Sequence, residues 1–579
     1  MRSDANKSAK SAFCFVAALM LPVSGPAQTA TSASPAGDVL AAREIPNVPR
    51  QDMGRRAADK EVEVRITLAF NREDELDQLI REQSNPGSPN YRHFLTYQQF
   101  SERFGPTVSQ VAILRSNLEA AGFRITDIAP TQLLIRAVAP SASVERYFQT
   151  EMHTVNQAGY GERYVNVRPA VLPTPLTSIV KYLRLNNFFI GYRPMVRRVP
   201  MPREVSAAAK NSSRTAEGSV PVSPRTMTSK APSALTGPLF DWGGGIGPVV
   251  IAKAFDFPVQ HGCDAFGWNV AVIMGSDVSN SDLNSFYYKY QIPRRGNIYR
   301  VAVNGGAIGR VDPQVGLETA LDVETICSLA PGASVILYII PSSGGLMSDS
   351  DIDAAMQYVN YENNAPVVNL SLGGPESFDG TFWGAAKQAT AQGITVCVAS
   401  GDSGKAESPA SNPYVVAVGG TNLTPYPDGT IYGDSVWNNP PAGSSGGGVS
   451  SIFYTPAFQG GTTGLASTTY RNVPDVAFAA QNASVWFQGN FMSNQGYEID
   501  GTSWACPQFA ALMIEAVAAR YQRLGLVNQA IYRGFRSSGN RFIRDIVYGG
   551  NGTYNAKVGY DNCSGVGTPM GWNFIWYGL

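Results

Sequence analysis

Histidine is nearly absent from this sequence, with three in 579 residues against 45 acidic and 45 basic side chains. A hydrolase that uses imidazole as its base needs one held beside a nucleophile. His93 and His153 lie in the first third of the chain and His261 in a Gly-Cys turn, and none follows a strand-end, Gly-rich pattern suited to a catalytic triad. Net charge is also lacking: the formal value is +0 and charged residues make up 16%. No overall field would draw the chain to nucleic acid or an anionic membrane. No run beyond the N-terminus reaches eighteen uninterrupted apolar residues, so no permanent membrane helix is expected. No cysteine pair has C-x-x-C spacing, which argues against a structural zinc site. What is plentiful is Gly (58), Pro (38) and aromatic residues (10%), the composition of a loop-rich α/β enzyme.

The length exceeds what one hydrophobic core serves, so two or more domains are expected. Arg2, Lys7 and Lys10 precede an apolar stretch, Ala12 to Leu21, followed by small residues at Gly25 and Ala27. These are the parts of a cleavable export signal over residues 1–27, implying a secreted protein, extracellular or periplasmic. Cys14 leaves with it. Cys263, Cys327, Cys397, Cys506 and Cys563 remain, an odd number whose pairing spacing alone does not determine.

From Glu61 the stretch "EVEVRITLAF" alternates with the period of a strand, and "NREDELDQLIREQSNPGSPNY" follows as an acidic-capped amphipathic helix. A second helix fits "TVSQVAILRSNLEAAGF". Strand patterns in "FRITDIAP" and "QLLIRAVAP" precede a short helix, "SVERYFQT", capped by Ser143. Residues 50–190 thus read as a compact α+β unit. Residues 191–235 read as an exposed linker, with eight basic and two acidic side chains between Gly191 and Pro232 and no apolar period. Beyond it the runs "WNVAVIM", "ASVILYII", "PVVNLSL", "GITVCVAS" and "PYVVAVGG" alternate with helical segments. They predict a doubly wound parallel sheet over residues 236–579, with its site at the strand C-termini.

Three stretches carry candidate chemistry. In "YEIDGTSWACPQFAALMIEAV" Ser503 stands at a helix N-terminus, where backbone N–H groups and the dipole favour developing negative charge. It can equally serve with Thr502 as a helix cap. In "VGLETALDVETICSLAPGASVILYII" Glu318 and Asp322 share one helix face, and an apolar setting would raise one pKa until the pair shares a proton. A solvated acidic face is the plainer alternative; Glu324, at another helical angle, is expected to face solvent. In "GITVCVASGDSGKAE" Asp402 follows a buried strand. Kept protonated it would donate to an oxyanion, and as an ordinary Asx turn it would do nothing catalytic.

Together with "SLGGPE", "SNPYVVAVGGT", "SGGGVSSIFYTPAFQ", "RNVPDVAF" and "RDIVYGGNGTYNAKVGYDNCSGVGTP", these stretches resemble the sedolisin family of serine-carboxyl peptidases, relatives of the subtilisins in fold. "SNPGSPNYRHFLTYQQFSERFGPT" and "QLLIRAVAPSASVERYFQTEMH" resemble the family's pro-kumamolisin-type activation prosegment. The resemblance implies a subtilisin-like catalytic domain behind a smaller, ferredoxin-like prosegment. It implies Ser503 as nucleophile, Glu318 as base, Asp322 as its partner and Asp402 as oxyanion donor. It also implies one structural calcium ion held by Asp545, Ile546, Lys557, Gly559 and Asp561, with Lys557 where the family usually has glycine; a Gly-rich turn pinned by Asx bonds is the alternative there. Some members extend the carboxylate chain with an acid after the first strand and a tryptophan before the Gly pair, whereas this sequence has Met274 and Leu372. The function implied is a secreted, acid-acting, self-processing endopeptidase that cuts itself within residues 191–235. Its partners would be protein or peptide substrates and its own prosegment as intramolecular inhibitor, with no nucleic acid, no membrane and a monomeric state. Alternatives from other classes are a catalytically inactive homologue serving as a protein-binding module, and a glycosidase built on the acid pair. A glycosidase needs its two acids facing each other across a sugar, whereas neighbours on one helix pack side by side.

Overall fold

A computed structural model describes residues 48–201, 234–538 and 542–579. The expected export signal, and the expected linker between residues 202 and 233, lie outside the described residues.

The first unit is built on a four-stranded antiparallel sheet ordered Arg124–Ile128, Leu134–Pro140, Glu61–Leu68, Val180–Arg184. Helices Glu73–Gln83, Val108–Ala120 and Ser141–Phe148 connect it in the ferredoxin-like manner. Alternation in "EVEVRITL" puts Val62, Val64 and Ile66 into the core while Glu61 stays exposed. Thr107 caps its helix with a reciprocal capping box to Gln110. The short helix starts at Ser141, two residues earlier than its sequence suggests, and Ser143 is not its cap.

The second unit centres on an eight-stranded sheet. Its main path runs Ile298–Ala302, Ser334–Ile339, Asn269–Met274, Val367–Leu370, Thr395–Ala399, Val416–Pro425 and Ile431–Val436, with Val476–Ala479 also pairing Val416–Pro425. All these pairings are parallel except that of Ile431–Val436. The continuous β-branched runs are buried on both faces, as covered parallel strands require. Two helices packed on one another position the chemistry: Gly316–Leu329, buried at every residue, and Thr502–Arg520, buried from Thr502 to Val517.

Residues 191–201 depart from an exposed tether. Gly191–Pro194 is a strand held between Met347–Ser348 and Leu372–Gly373, and Arg197–Pro200 pairs antiparallel with Tyr497–Asp500. Proline and arginine mask this from a reading of local pattern, because both strands exist only through their partners.

Candidate active site

The chain reaches Ser503 through a turn that only glycine allows. Gly501 has φ +139°, and a Cβ there would lie 1.8 Å from the Met195 carbonyl oxygen. Ser503, the second residue of its helix, is fully buried. The helix carries Pro507, which cannot donate to the Ser503 carbonyl four residues back. The Ser371 hydroxyl lies 3.3 Å from that freed carbonyl and 2.6 Å from Asp322 Oδ1. A hydroxyl has one proton, so it donates to only one of the two. With Asp322 protonated on Oδ1, Ser371 accepts from the acid and donates to the Ser503 carbonyl; with Asp322 ionised it turns to the carboxylate. The Asn369 amide donates to the same hydroxyl at 3.1 Å.

Glu318 and Asp322 are both fully buried, on the inner face of their helix. Burial, followed by repulsion from Asp322, holds the Glu318 carboxyl well above the usual range, while the Ser503 hydroxyl pulls the other way. Burial likewise raises Asp322, against the bonds from Ser371 and Asn369. Neither Glu318 oxygen nor Ser503 Oγ is in formed hydrogen-bond geometry within the protein. Such a contact often tightens only once substrate engages. Glu324, expected in solvent, is buried instead, and its Oε2 accepts from the Trp486 amide at 3.1 Å. Its helix is covered on all sides, so helical angle alone does not tell solvent from core.

Asp402 comes to the same place from the loop after Thr395–Ala399. Its Oδ1 accepts from the Thr502 amide at 2.9 Å, and the Thr502 hydroxyl lies 2.9 Å from the same oxygen and 3.1 Å from the Gly401 carbonyl, donating its one proton to one of the two, while Oδ2 faces Arg197 Nε at 3.4 Å. Burial raises its pKa to about 7, against the pull of Arg197. The Thr502 amide fixes Oδ1, while Oδ2, which faces Arg197, is not in formed hydrogen-bond geometry among the described residues. The structure therefore gathers all four sequence-predicted residues. Met274 and Leu372 are buried and apolar, and Asp277, the acid nearest Met274, pairs with Arg300. Ser371 and Asn369 are what hold Asp322. Their roles are not visible in sequence beyond the polar pair in the buried run "VVNLSL". His153 is taken up by Asp52 and Glu151, and His261 by Asp256.

The cleft is filled by the chain's own residues. The Met195 amide donates to the Ser371 carbonyl at 3.2 Å, and its carbonyl accepts from the Ser503 amide at 3.4 Å. Its buried side chain lies against Gly373, where a Cβ would come within 2.7 Å of the Met195 methyl carbon. The sequence offers no sign of this, since Met195 sits in an apparently unstructured stretch.

Asp545 and Asp561 approach one another in the C-terminal loop. Asp545 Oδ2 accepts from the Gly559 amide at 2.8 Å and Asp561 Oδ2 from the Lys557 amide at 3.1 Å. Burial and the facing Asp561 carboxylate raise Asp545, a repulsion that a cation would relieve. Ile546 is buried beside them, and the Lys557 ammonium donates away, to the Gly464 carbonyl at 2.9 Å. Among the described residues no group of three or more His, Cys, Asp or Glu forms a metal site, so a shell here needs the peptide oxygens of Ile546, Lys557 and Gly559. The donor set fits a hard cation. The five cysteines among the described residues are free thiols, and no helix among these residues is long and apolar enough to cross a membrane.

Residues 50–188 match the pro-kumamolisin activation domain, and residues 308–526 match the subtilase family. Kumamolisin from Bacillus sp. (strain MN-32) is 28% identical over 92% of this chain and 95% of its own. Sedolisin from Pseudomonas sp. (strain 101) is 27% identical over 99% of this chain and 97% of its own, and xanthomonalisin from Xanthomonas sp. (strain T-22) 27% identical over 94% and 69%. The solved Pseudomonas sedolisin, a serine-carboxyl proteinase complexed with pseudo-iodotyrostatin, superposes with a TM-score of 0.51 at 26% identity, covering 57% of this chain and 97% of that one. Site geometry, activation domain and relatives agree: the chain is a serine-type peptidase with a pro-kumamolisin activation domain and a subtilase-type peptidase domain, similar to the sedolisins.

Proposed function

We propose that this protein is a secreted, acid-acting endopeptidase made as a self-processing proenzyme. The carrying observation is the meeting of Glu318, Asp322 and Asp402 around a serine whose amide already holds a peptide carbonyl. Ser503 Oγ attacks the substrate carbonyl as Glu318 takes its proton, and Glu318 returns that proton to the leaving amine. Asp322 shares the charge of Glu318 and fixes its orientation. The tetrahedral oxyanion is held by the Ser503 amide and by the proton on Asp402 Oδ2. Water then resolves the acyl-enzyme by the same steps in reverse. The mechanism needs a protonated Asp402, which holds below about 7, and one proton on the Glu318–Asp322 pair, whose carboxyls burial raises.

An endopeptidase reading is supported by the chain's passage through the cleft, continuous on both sides of Ser503. Among relatives is a tripeptidyl-peptidase 1 from Dictyostelium discoideum, 28% identical over 52% of this chain; a peptidase of that kind releases three residues from a free amino end. Here Ile190 to Met195 precede the bound carbonyl without a block. Residues 50–190 act as intramolecular inhibitor, and one calcium ion at Asp545, Ile546, Lys557, Gly559 and Asp561 ties down the C-terminal loop. Casein digestion from pH 2 to 8 tests the reading: wild type shows an acid maximum that Glu318→Ala abolishes. Equal activity of the two proteins, or none from wild type after acid treatment, overturns it.

A further inference from the structure

The strand Tyr497–Asp500 leads directly into Gly501 and Ser503, and its cleft-facing edge is covered by Arg197–Pro200 in the register Arg197 to Asp500, Arg198 to Ile499, Val199 to Glu498 and Pro200 to Tyr497. The ladder continues one residue further, where the Met201 amide donates to the Gly496 carbonyl at 2.8 Å. The opposite edge is already used: the Ala483 amide donates to the Ile499 carbonyl at 2.8 Å, and the Gly501 amide to the Ala480 carbonyl at 2.7 Å. Backbone groups alternate along a strand, so if Ile499 and Gly501 face away, Gly496, Glu498 and Asp500 face the cleft. The amides of Arg197, Val199 and Met201 therefore point at this strand, while those of Arg198 and Pro200 do not, and Pro200 sits where no donor is needed.

The carbonyl held by the Ser503 amide fixes where the reacting bond lies. It belongs to Met195, so the bond presented is Met195–Val196, with Arg197 second and Met201 sixth after it. We infer that Tyr497–Asp500 is a docking strand for the leaving side of an extended peptide, engaging the second to sixth residues beyond the cut bond, and that the first peptide bound this way is the chain's own, cut between Met195 and Val196. Docking by strand addition takes affinity from main-chain bonds and specificity from the pockets that receive side chains. On the two faces of the segment Arg197 lies against Asp402, and the Arg198 guanidinium lies 5.7 Å from the centre of the Phe487 ring. The enzyme is thus selective for a long, extended leaving segment, with a basic side chain favoured at the second and third positions after the cut.

This inference rests on the peptidase reading above, and the experiment separates the two. Full-length protein is activated in acid, the N-terminus of the released enzyme is sequenced, and quenched-fluorescence peptides spanning residues 190–201 are assayed. One is unmodified, one ends at Arg197, one is N-methylated at Val199 and one at Arg198. The expected results are a new terminus at Val196, and kcat/KM at least tenfold lower for the truncated and Val199-methylated peptides. The Arg198-methylated peptide should stay within twofold of the parent. Equal cleavage of all four at the Met-Val bond overturns the docking strand while leaving the peptidase intact. Cleavage and maturation at another bond overturn the bond assignment. No cleavage of peptides or casein removes the peptidase reading and the inference together.

Discussion

Glu73 and Asp77 in the prosegment, and Glu318 and Asp322 in the peptidase, are each a pair of acids four residues apart on one helix. In sequence the pairs look alike. Around Glu73 and Asp77 the partner is Lys387, whose ammonium is almost fully buried and lies 2.9 Å from Glu73 and 2.6 Å from Asp77, with Lys181 at 2.9 Å from Glu73. Burial pushes Glu73 up, but the two lysines more than offset it and its pKa falls below the usual 4.5. Glu318 has burial, Asp322 and no cation in contact, and moves the other way. The partner across the interface, not the spacing, decides whether an acid pair is a clamp or a proton store. The clamp is present above the ordinary carboxyl value and fades as pH falls below it, so acid loosens the prosegment under conditions in which the proton store is correctly loaded.

Glu318→Gln breaks the proton store alone. It keeps the shape of the side chain, and kcat should fall by roughly 10²–10⁴-fold while the thermal transition of the folded protein stays in place, measured on a casein or peptide substrate. Asp402→Ala should lower kcat about a hundred- to a thousandfold. In wild type, kcat should decline as pH rises through about 7, where Asp402 gives up its proton, and Asp402→Asn should flatten that limb of the pH–rate curve. Breaking the clamp instead, with Glu73→Gln and Asp77→Asn together, leaves Lys387 buried among neutral groups. At about 2 kcal/mol the prosegment's inhibition constant, measured with prosegment added in trans at pH 6, should weaken about thirtyfold. Asp545 and Asp561 are a third case, in which one carboxylate faces another and each accepts from a backbone amide. If their partner is calcium held through the Lys557 carbonyl, Lys557→Gly should leave calcium affinity within about twofold by calorimetry.

Much of the architecture was legible because buried parallel strands write themselves as β-branched runs: "WNVAVIM", "ASVILYII" and "GITVCVAS" fall on Asn269–Met274, Ser334–Ile339 and Thr395–Ala399. Convergence of Ser503, Asp402 and the acid pair was legible only as a family resemblance, since nothing local ties residue 318 to residue 503. Glu324 was misread because a helix in a large core has no solvent face. The strands at Gly191–Pro194 and Arg197–Pro200 were invisible for a different reason. Their pairing partners lie more than 150 residues away, and their own composition argues for coil.

A cut between Met195 and Val196 leaves Arg197–Pro200 in the mature chain, next to its new amino end, where it still covers Tyr497–Asp500. Without that cover the strand would show bare amides and carbonyls, the kind of margin on which foreign chains nucleate sheet growth. In storage without substrate, an enzyme trimmed past Met201 should clump sooner than one that begins at Val196 and carries its own edge guard.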